Sequence, residues 1–306
     1  MATTVLDSQI PDAGLGEGVI FPTPGQIIRM RMRRHKGFLI GGIAVLLTFI
    51  VAIFAPYLAP HDPYHQDLSR RMIPPVWQEK GTWTHPLGTD NMGRDYISRI
   101  IYGCRISLII GFSIMLIALI LGTTMGMLAG YFGGKVDMIV SFAITVRLAL
   151  PAVLVALAVV VLIGGSMTVV IVVLGFLIWA RVAVVMRAST QQIRGNDYVA
   201  AAQAAGCSTL RILLTEILPN LADNLVVVAT LEIGRAILLE AALSFLGMGV
   251  QPPTPSWGLM IAEGRAFMLF EPYLVTIPGA ALFILVLGMN LLGDGIRDVT
   301  TPEGRT

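Results

Sequence analysis

Ionisable side chains within apolar sequence are the first candidates for chemistry in this chain. Glu232, Arg235 and Glu240 interrupt a run of otherwise mostly apolar residues. Glu232 and Arg235 are three residues apart, so on a helix they share a face and can pair. Charge in an apolar environment is costly and usually faces a cavity or a partner. Two interpretations stay open: a polar lining of a solute path, or an ion pair that ties one helix to its neighbours.

Three histidines, His61, His65 and His85, fall in one segment between apolar runs. Imidazole groups can bind metal ions, but this spacing matches no compact ligand set. Pro63 and Pro86 indicate turns between the histidines. We therefore predict structural or solvated histidines and no metal site.

The sequence lacks the motifs of common hydrolases and nucleotide-binding proteins. It has no His-Glu-x-x-His helix, no Gly-x-Ser-x-Gly elbow and no Gly-x-x-x-x-Gly-Lys-Ser/Thr phosphate loop. We therefore predict no catalytic residues and no cofactor bound by this chain.

Apolar helices must position the residues discussed above. Of the 306 residues, 55% are hydrophobic and 13% are charged, against about 25% charged in soluble domains. A helix needs about 20 apolar residues to cross a bilayer. Continuous runs of that length favour helices over the short alternating strands of a barrel. The sequence predicts an all-α membrane protein with six transmembrane helices, over residues 38–58, 106–132, 137–163, 167–186, 224–246 and 273–292.

Basic residues set the predicted orientation. A cluster directly before the first span indicates a cytoplasmic N-terminus; it comprises Arg29, Arg31, Arg33, Arg34 and Lys36. Basic residues in the first long loop oppose this assignment, but the first helix usually dominates. Six spans return the C-terminus to the cytoplasm. The predicted division is a tail over residues 1–37, a membrane domain over 38–293 and a tail over 294–306, with an external loop over 59–104 and a cytoplasmic loop over 188–222.

The long cytoplasmic loop is the second candidate site. Asp197 is a plausible helix N-cap, and the alanine-rich residues 200–205 favour a helix. Gly206 permits a sharp break, and a second helical stretch from Thr209 ends before Pro219. Small side chains on the first helix let another protein surface approach closely. Loops of this length in a compact domain are usually functional.

This loop resembles the signature loop of importer-type ABC permeases. The family pattern is Glu-Ala-Ala, three residues, Gly, and an apolar stretch that ends in Leu-Pro. The positions concerned here are Tyr198, Ala200, Ala201, Ala202, Gly206, Leu218 and Pro219. Ala200 stands where the family often has glutamate. The resemblance implies that residues 198–219 couple this chain to an ATPase, through a contact that lacks a charge at position 200.

Further blocks are similar to the C-type permease subunit of the dipeptide/oligopeptide (and nickel) transport family. They read His-Pro-Leu-Gly-Thr-Asp at 85–90, Gly-Arg-Asp at 93–95, Leu-Ser-Phe-Leu-Gly at 243–247, Gln-Pro-Pro-Thr-Pro-Ser-Trp-Gly at 251–258 and Asn-Leu-Leu-Gly-Asp-Gly at 290–295. The resemblance spans about residues 33–302. It implies an importer-type ABC transmembrane domain in a bacterial inner membrane, which passes di- and oligopeptides inward.

Partners follow from the same resemblance. It implies a second homologous permease, two ATP-binding-cassette ATPase subunits that hold ATP and Mg²⁺, an extracytoplasmic substrate-binding protein and membrane lipid, with no nucleic acid. Nickel chelates, glutathione-like peptides and oligosaccharides stay open as other solutes. Two other classes are an ion-driven secondary transporter, which would leave the loop over 200–219 unexplained, and a membrane anchor without transport.

Proline and tryptophan residues make the last external loop stiff. Pro252, Pro253 and Pro255 cannot extend a helix, and Trp257 suits a membrane interface. An outer gate that includes Pro253 and Trp257 and a simple rigid turn stay open as interpretations.

Glycines at a spacing of four predict a close helix contact. Gly122, Gly126 and Gly130 share one helix face. A sliding surface between subunits is one interpretation, and we favour ordinary helix packing.

The other polar and sulfur-containing residues of the spans have structural interpretations. Arg147, Arg181 and Arg187 lie near predicted span ends, and we expect them to snorkel to the interface. Cys104 and Cys207 are placed on opposite sides of the membrane, so we expect no disulfide.

Overall fold

A computed structural model describes residues 24–300, and this part of the chain is almost entirely helical. Its helices are α1 (Pro24–Arg34), α2 (Lys36–Ile53), α3 (Ala55–Leu58), α4 (Tyr96–Phe132), α5 (Gly134–Ala149), α6 (Ala152–Ile163), α7 (Met167–Arg194), α8 (Asp197–Ala204), α9 (Thr209–Arg211), α10 (Leu218–Phe245), α11 (Trp257–Gly264) and α12 (Tyr273–Thr300). A π-helical turn, Ile212–Ile217, joins α9 to α10. The described residues contain isolated β-bridges but no strand, which confirms the all-α prediction for them.

The predicted tails differ from the structure where both can be compared. Most of the tail over residues 1–37, and the end of the C-terminal tail, lie outside the described residues. The last part of the first tail is helical, because α1 begins at Pro24. Proline is tolerated in the first helical turn, where its missing N–H would have no partner. α12 continues to Thr300, past the predicted end of the last span.

Four helices of the described region, α2, α4, α7 and α12, are long and apolar enough to cross a membrane. The pair α5 and α6 would supply a fifth span if it counts as one bent unit. α10 contains the predicted fifth span, but it also carries Glu232, Arg235 and Glu240. Length and composition therefore support four or five spans directly.

The prediction of a continuous span over residues 137–163 is wrong. α5 ends at Ala149 and α6 begins at Ala152, and the two axes are bent by 86°. Leu150 has φ −92° and ψ 130°, which is extended backbone. Pro151 explains this break, because a proline disfavours helical geometry in the residue before it and cannot donate a backbone hydrogen bond.

Close contact between α4 and α7 is the most extensive helix pairing in the described part of the chain. The face of α4 that carries Gly122, Gly126 and Gly130 lies directly against α7. A Cβ atom at Gly126 would lie 2.7 Å from the carbonyl oxygen of Ala183. At Gly130 the corresponding distance to the carbonyl oxygen of Arg187 is 2.7 Å. The glycines therefore serve packing within this chain, as favoured from the sequence.

The outer segment between α3 and α4 is shorter than predicted, because α4 begins at Tyr96 rather than near Ile106. Asp95 caps this helix, and its carboxylate accepts hydrogen bonds from the backbone N–H (2.9 Å) and hydroxyl (2.6 Å) of Ser98. Arg99 lies within α4 and Arg94 lies just before it, and the charges of both residues are paired. Arg94 and Arg99 are buried and contact Asp90 and Glu263.

The glycine face of α4 gives a stability prediction. Gly126→Ala should lower the free energy of unfolding by about 2 kcal/mol, since overpacking against α7 is costly. Gly279→Ala in α12 is the matched control, because a Cβ there meets no atom within 4 Å. Thermal unfolding of both variants in detergent checks this. Equal shifts for the two variants would contradict close α4–α7 contact.

Candidate functional site

Residues 196–219 form a short helix, a turn and a second helical segment, as the sequence predicts. α8 ends near Ala204, and Gly206 then takes φ +77°, a value that L-residues with a side chain rarely adopt. Ser208 caps α9, with its hydroxyl accepting from the backbone N–H of Arg211 at 3.4 Å. The chain then enters the π-helical turn and α10.

Two details of this segment differ from the prediction. The N-cap of α8 is Asn196, and the predicted cap Asp197 lies in the first turn. The second helical stretch does not end before Pro219, since Leu218 and Pro219 open α10. A proline in a first turn needs no backbone partner, and the preceding π-helical turn already departs from α-helical hydrogen bonding.

Small, exposed side chains form the outer surface of α8. Ala200 and Ala201 are exposed, and Tyr198 is 39% exposed. A Cβ at Gly206 would meet nothing within 4 Å. Leu210 and Leu214, further along the segment, are also exposed, at 66% and 49%. The segment therefore presents a nearly uncharged surface that a partner can approach closely.

The opposite side of α8 is fixed to the ends of α4 and α7. Val199 is fully buried. The side-chain amide of Gln203 donates to the hydroxyl of Tyr131 at 3.2 Å, and Arg194 donates to the backbone carbonyl of Tyr131 at 2.8 Å. Gln203 thus joins α8 to the end of α4, and Arg194 joins the end of α7 to the same residue of α4.

Arg187, which was expected to snorkel to the interface, forms an ion pair with Asp137. Its Nη2 atom donates to Oδ2 of Asp137 at 2.7 Å, and its Nε atom contacts Oδ1 of the same carboxylate. This bidentate pair joins α7 to the first turn of α5. A nearby carboxylate satisfies the guanidinium better than an extended path to the interface.

A polar cavity lies where α5 breaks into α6. One part, with a volume of 390 Å³, is lined by Arg147, Arg181, Glu232 and Arg235, together with the apolar residues around Pro151. An adjoining cavity of 550 Å³ shares Arg181, Glu232 and Arg235. The predicted pair is present, since Nη1 of Arg235 donates to Oε1 of Glu232 at 2.7 Å. Arg147 and Arg181 thus line a cavity instead of snorkelling as expected.

Positive charge exceeds negative charge on this cavity wall. Three arginines and one glutamate line it. Arg235 is hydrogen-bonded to Glu232, and the same carboxylate also attracts Arg181. The Nε atom of Arg147 is buried and has no hydrogen-bond partner among the described atoms. The wall favours an anion, because three guanidinium groups share a single carboxylate.

Glu240 does not belong with Glu232 and Arg235. It is fully buried, and its Oε1 accepts hydrogen bonds from the hydroxyls of Ser244 (2.7 Å) and Ser256 (3.1 Å). Ser256 also caps α11 by accepting from the backbone N–H of Leu259 at 3.1 Å. Glu240 therefore holds the end of α10 to the start of α11 rather than lining the cavity.

Trp257 lies in the core rather than at a membrane interface. It is 4% exposed, and its indole N–H donates to the carbonyl of Ile100 at 3.0 Å. Its ring lies so close to Gly103 that a Cβ there would approach the indole within 2.9 Å. Trp257 thus fixes α11 to α4, while Pro253 is exposed in the preceding loop.

Comparison with known proteins assigns this arrangement to a family. Residues 122–303 match the family described as binding-protein-dependent transport system inner membrane component, and residues 23–75 match the N-terminal TM domain of oligopeptide transport permease C. The dipeptide transport system permease protein DppC of Haemophilus influenzae is 41% identical over 92% of this chain and 95% of its own. The chain belongs to the dipeptide/oligopeptide ABC permease family. It is accordingly a multi-pass membrane permease subunit.

Other relatives of the permease differ in their named solute. The glutathione transport system permease protein GsiD of Pectobacterium atrosepticum is 37% identical over 92% of both chains. Among solved structures, the MetNI methionine ABC transporter in inward-facing conformations aligns with a TM-score of 0.54 and 18% identity, over 66% of this chain and 97% of that chain. At that identity the likeness concerns the fold alone.

A buried charge network in the outer segment of the permease was not recognised from the sequence. Nη2 of Arg99 donates to Glu263 at 2.7 Å, and Nε of Arg94 donates to Asp90 at 2.6 Å. Nη2 of Arg94 also reaches Glu263 at 3.1 Å. The sequence shows Arg94 in the Gly-Arg-Asp motif at 93–95, but the partner of this arginine, Glu263, lies far along the chain.

The network predicts a large effect for a conservative substitution in the permease. Glu263→Gln should destabilise the fold by about 3 kcal/mol, because it leaves the buried Arg94 and Arg99 with one carboxylate instead of two. Glu79→Gln, at an exposed position of the outer segment, serves as the matched control. Thermal unfolding in detergent checks this, and indistinguishable melting temperatures for the two variants would rule out a structural role for the network.

Proposed function

We propose that this chain forms one half of the translocation path of an ATP-driven importer of di- and oligopeptides, and is driven by partner ATPase subunits. The small-residue surface of α8, fixed to α4 and α7, is the observation that carries the proposal. Family membership and the names of the dipeptide permease relatives support the solute class. ATP and Mg²⁺ would be held by the partners, and no cofactor is assigned to this chain.

Six transmembrane spans are the most consistent topology. α5 and α6 count as one bent span, and α10 counts as another because Glu232 and Arg235 face a polar cavity rather than lipid. Basic residues at the end of α1 and start of α2 favour cytoplasmic termini. This gives a membrane domain over residues 38–293, an external loop within 59–104 and a coupling loop over 188–222, between tails over 1–37 and 294–306.

Coupling is proposed to run through the α8 segment. An ATPase dimer that closes on ATP would displace α8, and the contacts of Gln203 and Arg194 with Tyr131 would pass that motion to α4 and α7. Rigid-body rocking of packed helices then changes the side of the membrane to which the path opens. Tyr198, Ala200, Ala201, Ala202, Gly206, Leu218 and Pro219 are the proposed coupling residues.

The arginine-lined cavity is proposed as part of the path. Peptides carry a carboxylate at one end, and the guanidinium groups of Arg147 and Arg181, on a wall with excess positive charge, can receive it. Glu232 and Arg235 contribute the remaining polar wall. Glu240 supports the start of α11 instead of lining the path. Pro253, in the loop before α11, and Trp257, at its start, form the proposed outer gate.

The complex is proposed to contain a second homologous permease, two ATPase subunits and an extracytoplasmic substrate-binding protein, in a bacterial inner membrane. A peptide is favoured as the solute over a nickel chelate or an oligosaccharide, because the dipeptide permease relatives match over nearly the whole chain. An ion-driven carrier is the competing class. It is disfavoured because Glu232 is paired with Arg235 and Glu240 is bonded to two hydroxyls, so neither acid is part of a shared ion site.

A pull-down tests the coupling assignment. Gly206→Arg should abolish co-purification of the ATPase subunits while the second permease still co-purifies, because the new side chain projects from the docking surface. Gly247→Arg is the matched control: it has φ +80°, a Cβ there also meets no atom within 4 Å, and it lies at the other end of α10.

The outcomes separate the function classes. Loss of the ATPase in the first variant alone, with loss of ATP hydrolysis in the isolated complex, supports coupling through α8. A folded chain that purifies alone and moves solute into vesicles without ATP would replace the importer by an ion-driven carrier.

Transport rates test the cavity. Arg181→Gln should slow ATP-driven uptake of a dipeptide into proteoliposomes by about tenfold, because a hydrogen bond to a charged group contributes roughly 1.5–3 kcal/mol. Arg71→Gln in the exposed outer segment is the control and should transport normally. Unchanged uptake by the Arg181 variant would remove the cavity from the path.

A further inference from the structure

Three potential metal ligands meet in the outer segment, away from the coupling surface and the cavity. His61, His85 and Asp95 each offer one ligand atom, and these atoms all lie within 4.8 Å of one another. The two imidazole rings are 4.8 Å apart between centroids. Their spacing along the chain gave no hint of this, because the turns between them bring distant positions together. His65, the third histidine of the segment, lies outside the cluster.

Both imidazoles direct the same nitrogen toward one carboxylate oxygen. Nδ1 of His85 lies 2.8 Å from Oδ1 of Asp95, and Nδ1 of His61 lies 3.7 Å from that atom. The second distance is too long for a hydrogen bond. Nδ1 of His61 therefore faces Asp95 without a hydrogen bond to it. The hydrogen bond between His85 and Asp95 would not by itself require this orientation of His61.

Contacts that do not involve these ligand atoms hold the three residues in place. The other carboxylate oxygen of Asp95, Oδ2, accepts from the backbone N–H and the hydroxyl of Ser98. The backbone N–H of His61 donates to the same hydroxyl at 3.1 Å. The backbone N–H of His85 donates to the carbonyl of Thr82 at 3.2 Å. Such outer contacts orient ligands in metal sites.

We propose that His61, His85 and Asp95 bind a divalent first-row transition metal, for which Zn²⁺ is the best match. Two imidazoles and one carboxylate are a ligand set that Zn²⁺ takes, with bonds of about 2.0–2.2 Å. Ligand atoms around a tetrahedral ion are then about 3.4 Å apart. The distances from Oδ1 of Asp95 to the two imidazole nitrogens are 2.8 and 3.7 Å, and all three ligand atoms lie within 4.8 Å of one another, so small side-chain movements would complete the site.

Burial leaves one side of the proposed site open. The side chains of His85 and Asp95 are 9% and 1% exposed, whereas that of His61 is 39% exposed. Three protein ligands leave a fourth tetrahedral position, which water or an external ligand can fill from the His61 side. The bound ion would join the chain after α3 to the first residue before α4, so that it stabilises the outer segment.

Co²⁺ titration tests this proposal, because tetrahedral Co²⁺ has visible absorption far stronger than that of the hydrated ion. The full chain, purified in nanodiscs through a tag without histidine and treated with a chelator, is titrated with Co²⁺ and then with Zn²⁺ as competitor. His61→Ala is the test variant, because the hydrogen bond to Ser98 uses the backbone and survives. His65→Ala removes a histidine from the same segment and is the matched control.

The unmodified chain and the His65 variant should bind one Co²⁺ in tetrahedral form, and Zn²⁺ should displace it and raise the melting temperature. The His61 variant should bind at least tenfold more weakly, since even outer contacts contribute 10- to 100-fold to metal affinity. Three results would each overturn the proposal. They are Co²⁺ binding by the His61 variant as tight as that of the unmodified chain, weakening of binding in the His65 variant as large as in the His61 variant, and no tetrahedral signal from a folded chain. The readout is binding, so it is independent of transport.

Discussion

The contact between α4 and α7 is the interaction on which the rest of the structure depends. It is close because glycines on α4 let the two backbones approach, and side-chain packing drives helix association when lipid surrounds both helices. α4 has 37 residues, and at 1.5 Å per residue it spans about 55 Å. Its outer end holds the buried charge network and its inner end holds α8 through Tyr131. One stiff helix pair thus connects the two faces of the protein.

Buried charge is used in two different ways at different depths. In the outer segment, Arg94 and Arg99 each reach a carboxylate, and the network ties α4 to α11. Buried charged side chains that are paired with each other stabilise one arrangement of helices. On the cavity wall, three arginines share the one carboxylate of Glu232, and this excess of positive charge is the basis of the proposed anion-binding role.

Local sequence predicted the parts of the structure that depend on local physics. The alanines of α8, the break at Gly206 and the pairing of Glu232 with Arg235 all follow from helix geometry, and the structure contains them. The bend at Pro151 was not predicted, although a proline disfavours helical geometry in the residue before it.

Residues whose partners lie far along the chain were predicted least well. Arg147, Arg181 and Arg187 were assigned to the membrane interface, since a sequence does not reveal a cavity or the carboxylate of Asp137. Trp257 was placed at an interface for the same reason, although Ile100 and Gly103 enclose it. The start of α4 was missed because buried ion pairs make a charged stretch compatible with a packed helix.

The break between α5 and α6 has a consequence for water in the membrane. The backbone at Leu150 is extended, and irregular backbone at membrane depth is tolerated only where protein or water covers it. The carbonyl of Leu150 accepts a hydrogen bond from Nη1 of Arg147 at 3.3 Å, and Pro151 borders the arginine-lined cavity, so protein and a polar cavity cover the bend. A hydrated cavity at this depth would dissipate ion gradients if it opened to both sides at once. A fold with such a cavity must therefore keep one end sealed at every stage.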